Sequence, residues 1–465
     1  MRRVMFAALT LVAALAAAAC GSGSSDNGTG GKVVSVNQSE QQGALVGKNL
    51  DLSKLSPDIK DPDHPVTITF ESPWVSSPLI QKLAKEFHQI HPNITVQLQA
   101  VNQDSEQTKL TTQIAGGNAP DSAYMDSSTV GAFAPRGALV SLNDYMGKSI
   151  ATPPADYPDA FKTMNSYQGQ FYALPYDGES TGLFYRKDLF QTAGIPAPPK
   201  TWAEMQADAQ KLTNSSLRQY GIALFATQYE TSYYFYPFLY QAGGSQTTDD
   251  DKQAALNTPE AIKAAQFYTG LSKYSPPDLW NSNSYDGRVA FATGKVGMYI
   301  AGAWMIGDLQ RSFPKVTSKW EVAPMPTMDA GSPCQTTIAG NSLAVFSQSK
   351  NPDAAWKWIE FLDAPQNMAL WNVGTKKEPS SLLPPRKSLI ADQTTFSANP
   401  QLRIFSEMMA NCGITNLSNN TNWGEVDGGP LSTALAKVIY GKADAATAMN
   451  DAESQANEIL SKPTT

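Results

Sequence analysis

The run Tyr172-Ala-Leu-Pro-Tyr-Asp-Gly-Glu-Ser-Thr-Gly-Leu-Phe-Tyr-Arg-Lys-Asp-Leu-Phe190, continued by Ala193-Gly-Ile-Pro-Ala-Pro-Pro-Lys-Thr-Trp-Ala-Glu-Met205, decides the fold of this chain. Pro175 ends an extended stretch, Gly178 relaxes the backbone, and Gly182-Leu-Phe-Tyr185 has the apolar, aromatic character of a strand entering a core. The chain is therefore expected to change direction between Pro175 and Gly178. Gly194 stops a short helix, prolines 196, 198 and 199 stiffen a loop, and Thr201-Trp-Ala-Glu204 reads as a capping box. Behind it Trp202, Met205, Ala209 and Leu212 recur at helical spacing, so one helix face is buried.

Outward from this run, 465 residues exceed what one compact core usually holds and suffice for two lobes. Hydrophobic residues make up 42% and charged residues 17%, which fits a globular chain and excludes a disordered one. Met1-Arg-Arg, the apolar stretch from Val4 to Ala19 and then Cys20 read as an export signal, 1–19, too short to span a membrane. Small residues before Cys20 point to lipidation there, although Ala17 stands where lipoprotein signals usually carry leucine; plain secretion is the alternative. Without Arg2 and Arg3 the chain carries 33 basic and 42 acidic residues, a formal charge of −9. A nucleic-acid partner would need a basic footprint, and none is present. Beyond Cys20 only Cys334 and Cys412 remain, which in an oxidising compartment reads as one disulfide worth about 2–4 kcal/mol, or else two free thiols.

Residues 20–65 are polar and read as a flexible, lipid-anchored tether, of which only Leu50 to Ile59 has the character to pack on the body. Val66-Thr-Ile-Thr-Phe70, the stripe Ile80, Leu83, Phe87, Ile90 and the run Ile94-Thr-Val-Gln-Leu98 form a β-α-β unit with a parallel sheet. A further helix ends at Gly116-Gly117, and Asp121-Ser-Ala-Tyr-Met125 is a third strand. Ligands of such open sheets sit beyond the strand carboxyl ends. This rule selects Trp74 and Asp126 in the first lobe and, after the strand Gly294 to Ile300, Trp304 in the second. The aromatic run after Gln228-Tyr-Glu230 is mostly core, with room for one ring in a cleft.

Taken together, Tyr172 to Leu212, Ile338-Ala-Gly-Asn-Ser-Leu-Ala-Val345, Gly374 to Arg386 and Asn422-Trp-Gly424 resemble, in content and order, the family 1 extracellular solute-binding proteins, the sugar-binding receptors of ABC importers. The resemblance runs from about Val66 to Leu460. It implies an α/β, two-lobed periplasmic-binding-protein-like fold of type II, each lobe a mostly parallel sheet flanked by helices, with three interlobe crossings. The N-lobe would comprise 66–175 and 342–381, and the C-lobe 176–341 and 382–465. It also implies a monomer held at the outer face of the cytoplasmic membrane, a saccharide ligand and ABC permease subunits as partners.

A sugar ring offers an apolar C–H face and an equator of hydroxyls, so aromatic platforms plus carboxylates and amides suit it. The candidates are Trp74, Tyr185, Tyr229, Trp304 and Trp423 as platforms, with Asp126, Asp177, Glu179 and Asn341 as polar groups. Any of these tryptophans could instead fill a lobe core. Asp177 and Glu179 lie two apart in extended chain and can share a face. They could accept hydrogen bonds from a ligand, flank a scissile bond as a glycosidase pair, or be solvated hinge carboxylates. By resemblance Glu179 matches a ligand-contacting acidic position. Arg386, which matches a basic residue after the third crossing, could touch ligand or only pin the crossing by ion pairing.

Enzyme motifs are missing. Of the three histidines, His64, His88 and His91, the last two are read as cations at a helix end. No Gly-x-Ser-x-Gly elbow, His-Glu-x-x-His motif or P-loop occurs, so no metal or organic cofactor is expected. The reading is a receptor that closes on a sugar, probed against two rivals: a receptor for a glycerophosphodiester or other polyol, and an exported glycoside hydrolase.

Overall fold

The computed structural model describes residues 49–102, 105–227, 230–375, 380–415, 418, 420 and 422–462. The export signal, Cys20 and Tyr229 lie outside the described residues. The β-α-β start is as the periodicity predicts. Strand β1 (Val66–Ser72) pairs in parallel with β2 (Ile94–Ala100) through α1 (Pro78–Ile90), whose Ile80, Leu83 and Phe87 are buried. Helix α2 (Glu106–Ala115) leads to β3 (Ser122–Asp126), parallel to β1 on its other side.

The decisive run forms β4 (Ala173–Arg186), one continuous strand of 14 residues. The expected change of direction at Pro175 does not occur. The partner strand absorbs the proline through a register shift between Asn341 and Ser342, which oppose Asp177 and Pro175. At about 3.3 Å per residue β4 is roughly 45 Å long, enough to leave one lobe and cross the other. After α3 (Lys187–Thr192) and Gly194 at φ +67°, α4 (Trp202–Leu212) starts at Thr201, whose side chain accepts from the Glu204 amide. Glu204 in turn accepts from Lys200 N at 2.6 Å, so the carboxylate reaches one residue further back than in the usual box.

The second lobe is built from β5 (Tyr220–Ile222), α5 (Glu230–Gln241), α6 (Pro259–Gly270), β6 (Val296–Gly302), α7 (Trp304–Ser312) and β7 (Trp320–Ala323). Strand β8 (Thr336–Val345) returns to the first lobe, where α8 (Pro352–Asp363) and α9 (Pro365–Asn372) follow. Helix α10 (Leu402–Cys412) and β9 (Gly413–Thr415) lie in the second lobe again. The strand order is β2-β1-β3-β8-β4-β6-β5, with β9 beside β8 and β7 beside β4. The outer strands pair in parallel, and β4 and β8 run antiparallel to their main neighbours.

Both crossing strands begin in one lobe and end in the other. Beside them a third segment is pinned where Gly178 N donates to Leu383 O at 2.8 Å and Leu383 N donates to Gly178 O at 3.1 Å. This segment is interleaved: Leu383 and Ile390 join the second lobe's core, while Leu389 joins the first. The second lobe's core gathers Phe184, Phe238, Tyr268, Met305 and Trp320; the first lobe has one core around Ile68, Phe87, Trp356 and Trp358 and a smaller one around Leu110, Met125 and Phe133. Two lobes with their own cores joined by three backbone spans make a hinge, because bending the spans disturbs none of these cores.

Two expectations change. The tether assigned to 20–65 ends earlier, because Leu55 and Ile59 enter the N-lobe core and Ser56 Oγ donates to Glu360 at 2.7 Å. His91 is not a helix-end cation: it is buried, its Nδ1 lies 2.9 Å from Asp61, and burial lowers its pKa despite that neighbour. Asp61 also pairs with Lys357 at 3.2 Å, so the segment before β1 is bound to the lobe by ions as well as by apolar contact.

Candidate functional site

The floor of the interlobe cleft is read from exposure along the crossing strands. Of the 14 residues in β4 only Glu179 and Tyr185 are partly exposed, and in β8 only Ala339 and Asn341. Ala339 opposes Glu179 and Asn341 opposes Asp177, so one opening lies over this four-residue patch. Strand periodicity turns Gly178, Ser180 and Gly182 to the reverse face, where α10 packs.

Asp177 and Glu179 differ completely in environment. Asp177 is fully buried and accepts from Asn341 N at 3.2 Å, Asn341 Nδ2 at 2.9 Å, Tyr124 Oη at 2.7 Å and Trp371 Nε1 at 3.3 Å. Burial pushes its pKa up, and these donors oppose the shift. Its lone pairs are spent, so it holds β3, β8 and α9 together and is not the ligand group expected. Glu179 accepts no hydrogen bond from the described residues. Burial, aided by the charges of Asp177 and Asp126, pushes its pKa up to about 7. A desolvated carboxylate without a donor is costly, and a ligand that brings hydroxyls relieves that cost.

The first lobe supplies an aromatic wall. Trp74, 39% exposed, stands edge-on to Trp371 with centroids 6.4 Å apart. Trp371 stacks on Tyr176 at 5.6 Å, and Tyr124 meets both rings at 6.2 Å. The exposed indole is therefore backed by three rings, two of which, Tyr124 and Trp371, Asp177 anchors. Asp126, exposed at the end of β3, accepts from Ser128 N at 2.8 Å and starts a short turn of helix. Its own amide donates to buried Glu106 at 3.2 Å, whose pKa is pushed up to about 8 by burial and by Asp126 and Glu71.

The second lobe contributes Trp304, the first residue of α7. Gly302 makes room for it: a Cβ there would lie 2.7 Å from the indole Nε1 and 3.7 Å from Glu179 Oε2. Trp304 and Glu179 thus border the same small space. Tyr233, on α5, adds a hydroxyl that is buried and without a hydrogen-bond partner among the described residues, and it feels the charge of Glu179.

The structure therefore brings together Trp74, Asp126, Glu179, Trp304 and Asn341, with Asp177 beneath them. Three expected positions fall elsewhere. Tyr185 is on the face of β4 that carries Glu179 but about 20 Å further along, with its ring on Phe190 at 5.1 Å. Trp423 is 4% exposed in the C-lobe core, its Nε1 donating to Tyr236 Oη at 3.2 Å. Arg386 is fully buried, paired with Asp363 and with Asp156 at 3.0 Å, and donates to Ala151 O at 2.7 Å. Of its two readings the structure selects the ion-paired pin. Trp371, Tyr124 and Tyr233 are site residues that the sequence reading missed; only the aromatic run around Tyr233 signalled that one ring could enter the cleft.

The described residues contain no cluster of His, Cys, Asp or Glu that could hold a metal ion, and no helix among them is long and apolar enough to cross a membrane. The profile of the bacterial extracellular solute-binding proteins matches residues 74–369. A binding protein of Brucella abortus is 27% identical over 389 residues, 83% of this chain and 91% of its own. The diacetylchitobiose-binding protein DasA of Streptomyces coelicolor is 25% identical over 385 residues, 82% of this chain and 86% of its own. A solute-binding protein of an ABC transporter from Thermotoga lettingae, solved with bound α-D-tagatose, superimposes with a TM-score of 0.70 at 27% identity, covering 86% of this chain and all of that one.

Proposed function

Since the chain belongs to the bacterial extracellular solute-binding proteins, we propose that it captures a saccharide between its lobes and delivers it to an ABC transporter permease. The observation that carries this reading is the pairing of walls: Trp304 from one lobe borders Glu179, a carboxylate with no protein donor among the described residues, and exposed Trp74 from the other stands against Trp371, which is held by Asp177, two residues from Glu179 on the same strand. An indole covers the apolar face of a sugar ring, and Glu179, Asp126 and Tyr233 meet its hydroxyls. Because the contacts come from both lobes, bound sugar stabilises the closed form by its differential affinity for it. Relatives that bind diacetylchitobiose and tagatose support the ligand class.

The protein performs no chemistry in this account. A glycosidase needs two functional carboxyl groups about the scissile bond, and Asp177 has its acceptor positions filled by Asn341, Tyr124 and Trp371. Export and lipid attachment through Cys20 belong to the same proposal and rest on the sequence. A thermal-shift screen of mono-, di- and oligosaccharides, polyols and glycerophosphodiesters tests the ligand class, since a ligand that binds only the folded state raises the melting temperature. A rise with a sugar is expected. A response confined to a glycerophosphodiester, or turnover of an oligosaccharide that Glu179→Gln abolishes, overturns the reading.

A further inference from the structure

We propose that the Cys334–Cys412 disulfide is a redox control on the hinge: oxidised, it holds the cleft floor in its binding geometry, and reduced, it releases that floor. Its effect on ligand rests on the saccharide reading above, while its effect on the hinge does not. The bond joins residues 78 apart in sequence. Cys334 stands two residues before β8, and Cys412 ends α10 one residue before β9. Directly beyond the bond these strands pair in parallel, Thr336 with Gly413 and Ile338 with Thr415. The closed loop contains β8, the N-lobe helices α8 and α9, and the third crossing segment. The C-lobe start of β8 is thereby tied to the end of α10, the helix that follows the third crossing.

The tie reaches the cleft floor through α10. That helix lies against the reverse face of β4 so closely that a Cβ at Gly178 would be 2.5 Å from Met409 Sδ, and one at Gly182 would be 2.6 Å from Phe405 Cε1. Ser180 Oγ donates to Phe405 O at 2.9 Å. Glu179 projects from the opposite face of the same five-residue stretch. The seating of α10 therefore sets where Glu179 stands relative to Trp304, and the disulfide anchors the end of α10. Glycine at both contact points leaves no side chain to hold the strand if the helix shifts.

The bond is open to reagents, because Cys334 is exposed and Cys412 is partly exposed. A dithiol reductant would act by exchange. One of its thiolates attacks Cys334 Sγ, and Cys412 Sγ leaves as a thiolate that takes a proton. The second thiol then closes on the mixed disulfide, freeing the Cys334 thiol and leaving the reductant as its own disulfide. Two electrons and two protons pass to the protein.

The test compares three forms of the full chain: oxidised, reduced with dithiothreitol, and Cys334→Ser/Cys412→Ser. Amide hydrogen exchange reads the hinge without ligand. Exchange at least tenfold faster in 176–182 and 336–341 of the reduced chain, with β1 unchanged, is expected. Titration with a sugar identified for the oxidised chain should show affinity about tenfold weaker on reduction. Unchanged exchange in both stretches overturns the proposal, as does an unchanged Kd in a reduced protein that has merely lost thermal stability. Failure of the oxidised chain to bind any sugar counts against the saccharide reading alone, and the exchange data still decide the hinge. If the double variant does not fold, the reduced wild-type chain gives the same answer.

Discussion

Asp177 accepts four hydrogen bonds, and Glu179, two residues along the same strand, accepts none from the described residues. The pair divides the work of the crossing. Asp177 builds the site by tying Tyr124, Trp371 and Asn341 to β4, and Glu179 is left to meet the ligand.

Removing the tie should cost stability. Asp177→Ala leaves the buried donors of Tyr124, Trp371 and Asn341 without an acceptor, at roughly 1–3 kcal/mol for each orphaned group before relaxation. We expect a loss of about 2–4 kcal/mol in urea unfolding. A variant as stable as the wild type would mean that the network is not what holds the wall.

Tyr233→Phe should do the opposite. Its hydroxyl is buried without a partner among the described residues, so deleting it breaks no hydrogen bond among them and should leave stability equal or slightly higher. Affinity for the sugar should fall by about 1 kcal/mol, roughly fivefold. Equal affinity in calorimetry would remove Tyr233 from the site.

The raised pKa of Glu179 predicts a pH dependence of the empty receptor. In the unfolded chain the group titrates near its ordinary value of 4.5, and in the folded chain at about 7. A folded-state pKa above the unfolded one gives a contribution to stability that is full below pH 4.5 and is lost as pH rises to 7. Glu179→Gln removes this contribution. The difference in melting temperature, variant minus wild type, should therefore rise between pH 4.5 and 7 and level off above, by a few degrees. A difference that stays flat across that window contradicts the assignment.

Arg386→Ala separates pin from ligand group. Loss of one partner from a buried ion pair costs about 3–5 kcal/mol, here leaving Asp363 buried without its cation. The variant should melt far below the wild type yet bind sugar normally while folded. Weakened binding with wild-type stability would restore Arg386 to the cleft.

The β-α-β start was legible because hydrophobic spacing switches between period 2 and period 3.6 at Phe70, Ile80 and Ile94, and such patterns are local. Crossing strand β4 was recognised but wrongly broken: a proline predicts an interruption, and only the partner strand's bulge at Asn341 and Ser342 removes it. Tyr185 reads as an aromatic platform from its ring and its place on the crossing strand, yet neither says where along a strand the cleft ends. Trp371 carries no local signal of its place, because its neighbours, Trp74, Tyr124 and Asp177, are about 190 to 300 residues away, a juxtaposition no local pattern encodes. Arg386 was ambiguous for the same reason, its partners Asp156 and Asp363 being distant in sequence.

The central claim is that one ligand is gripped by an aromatic wall from each lobe. It is tested most directly by calorimetric titration of the wild-type chain, Trp74→Ala and Trp304→Ala with the sugar that most raises the wild-type melting temperature. The account predicts saturable binding to the wild type and affinity about tenfold weaker in each variant, both of which remain folded. Undiminished affinity in either variant, or no heat of binding with any saccharide, would contradict it.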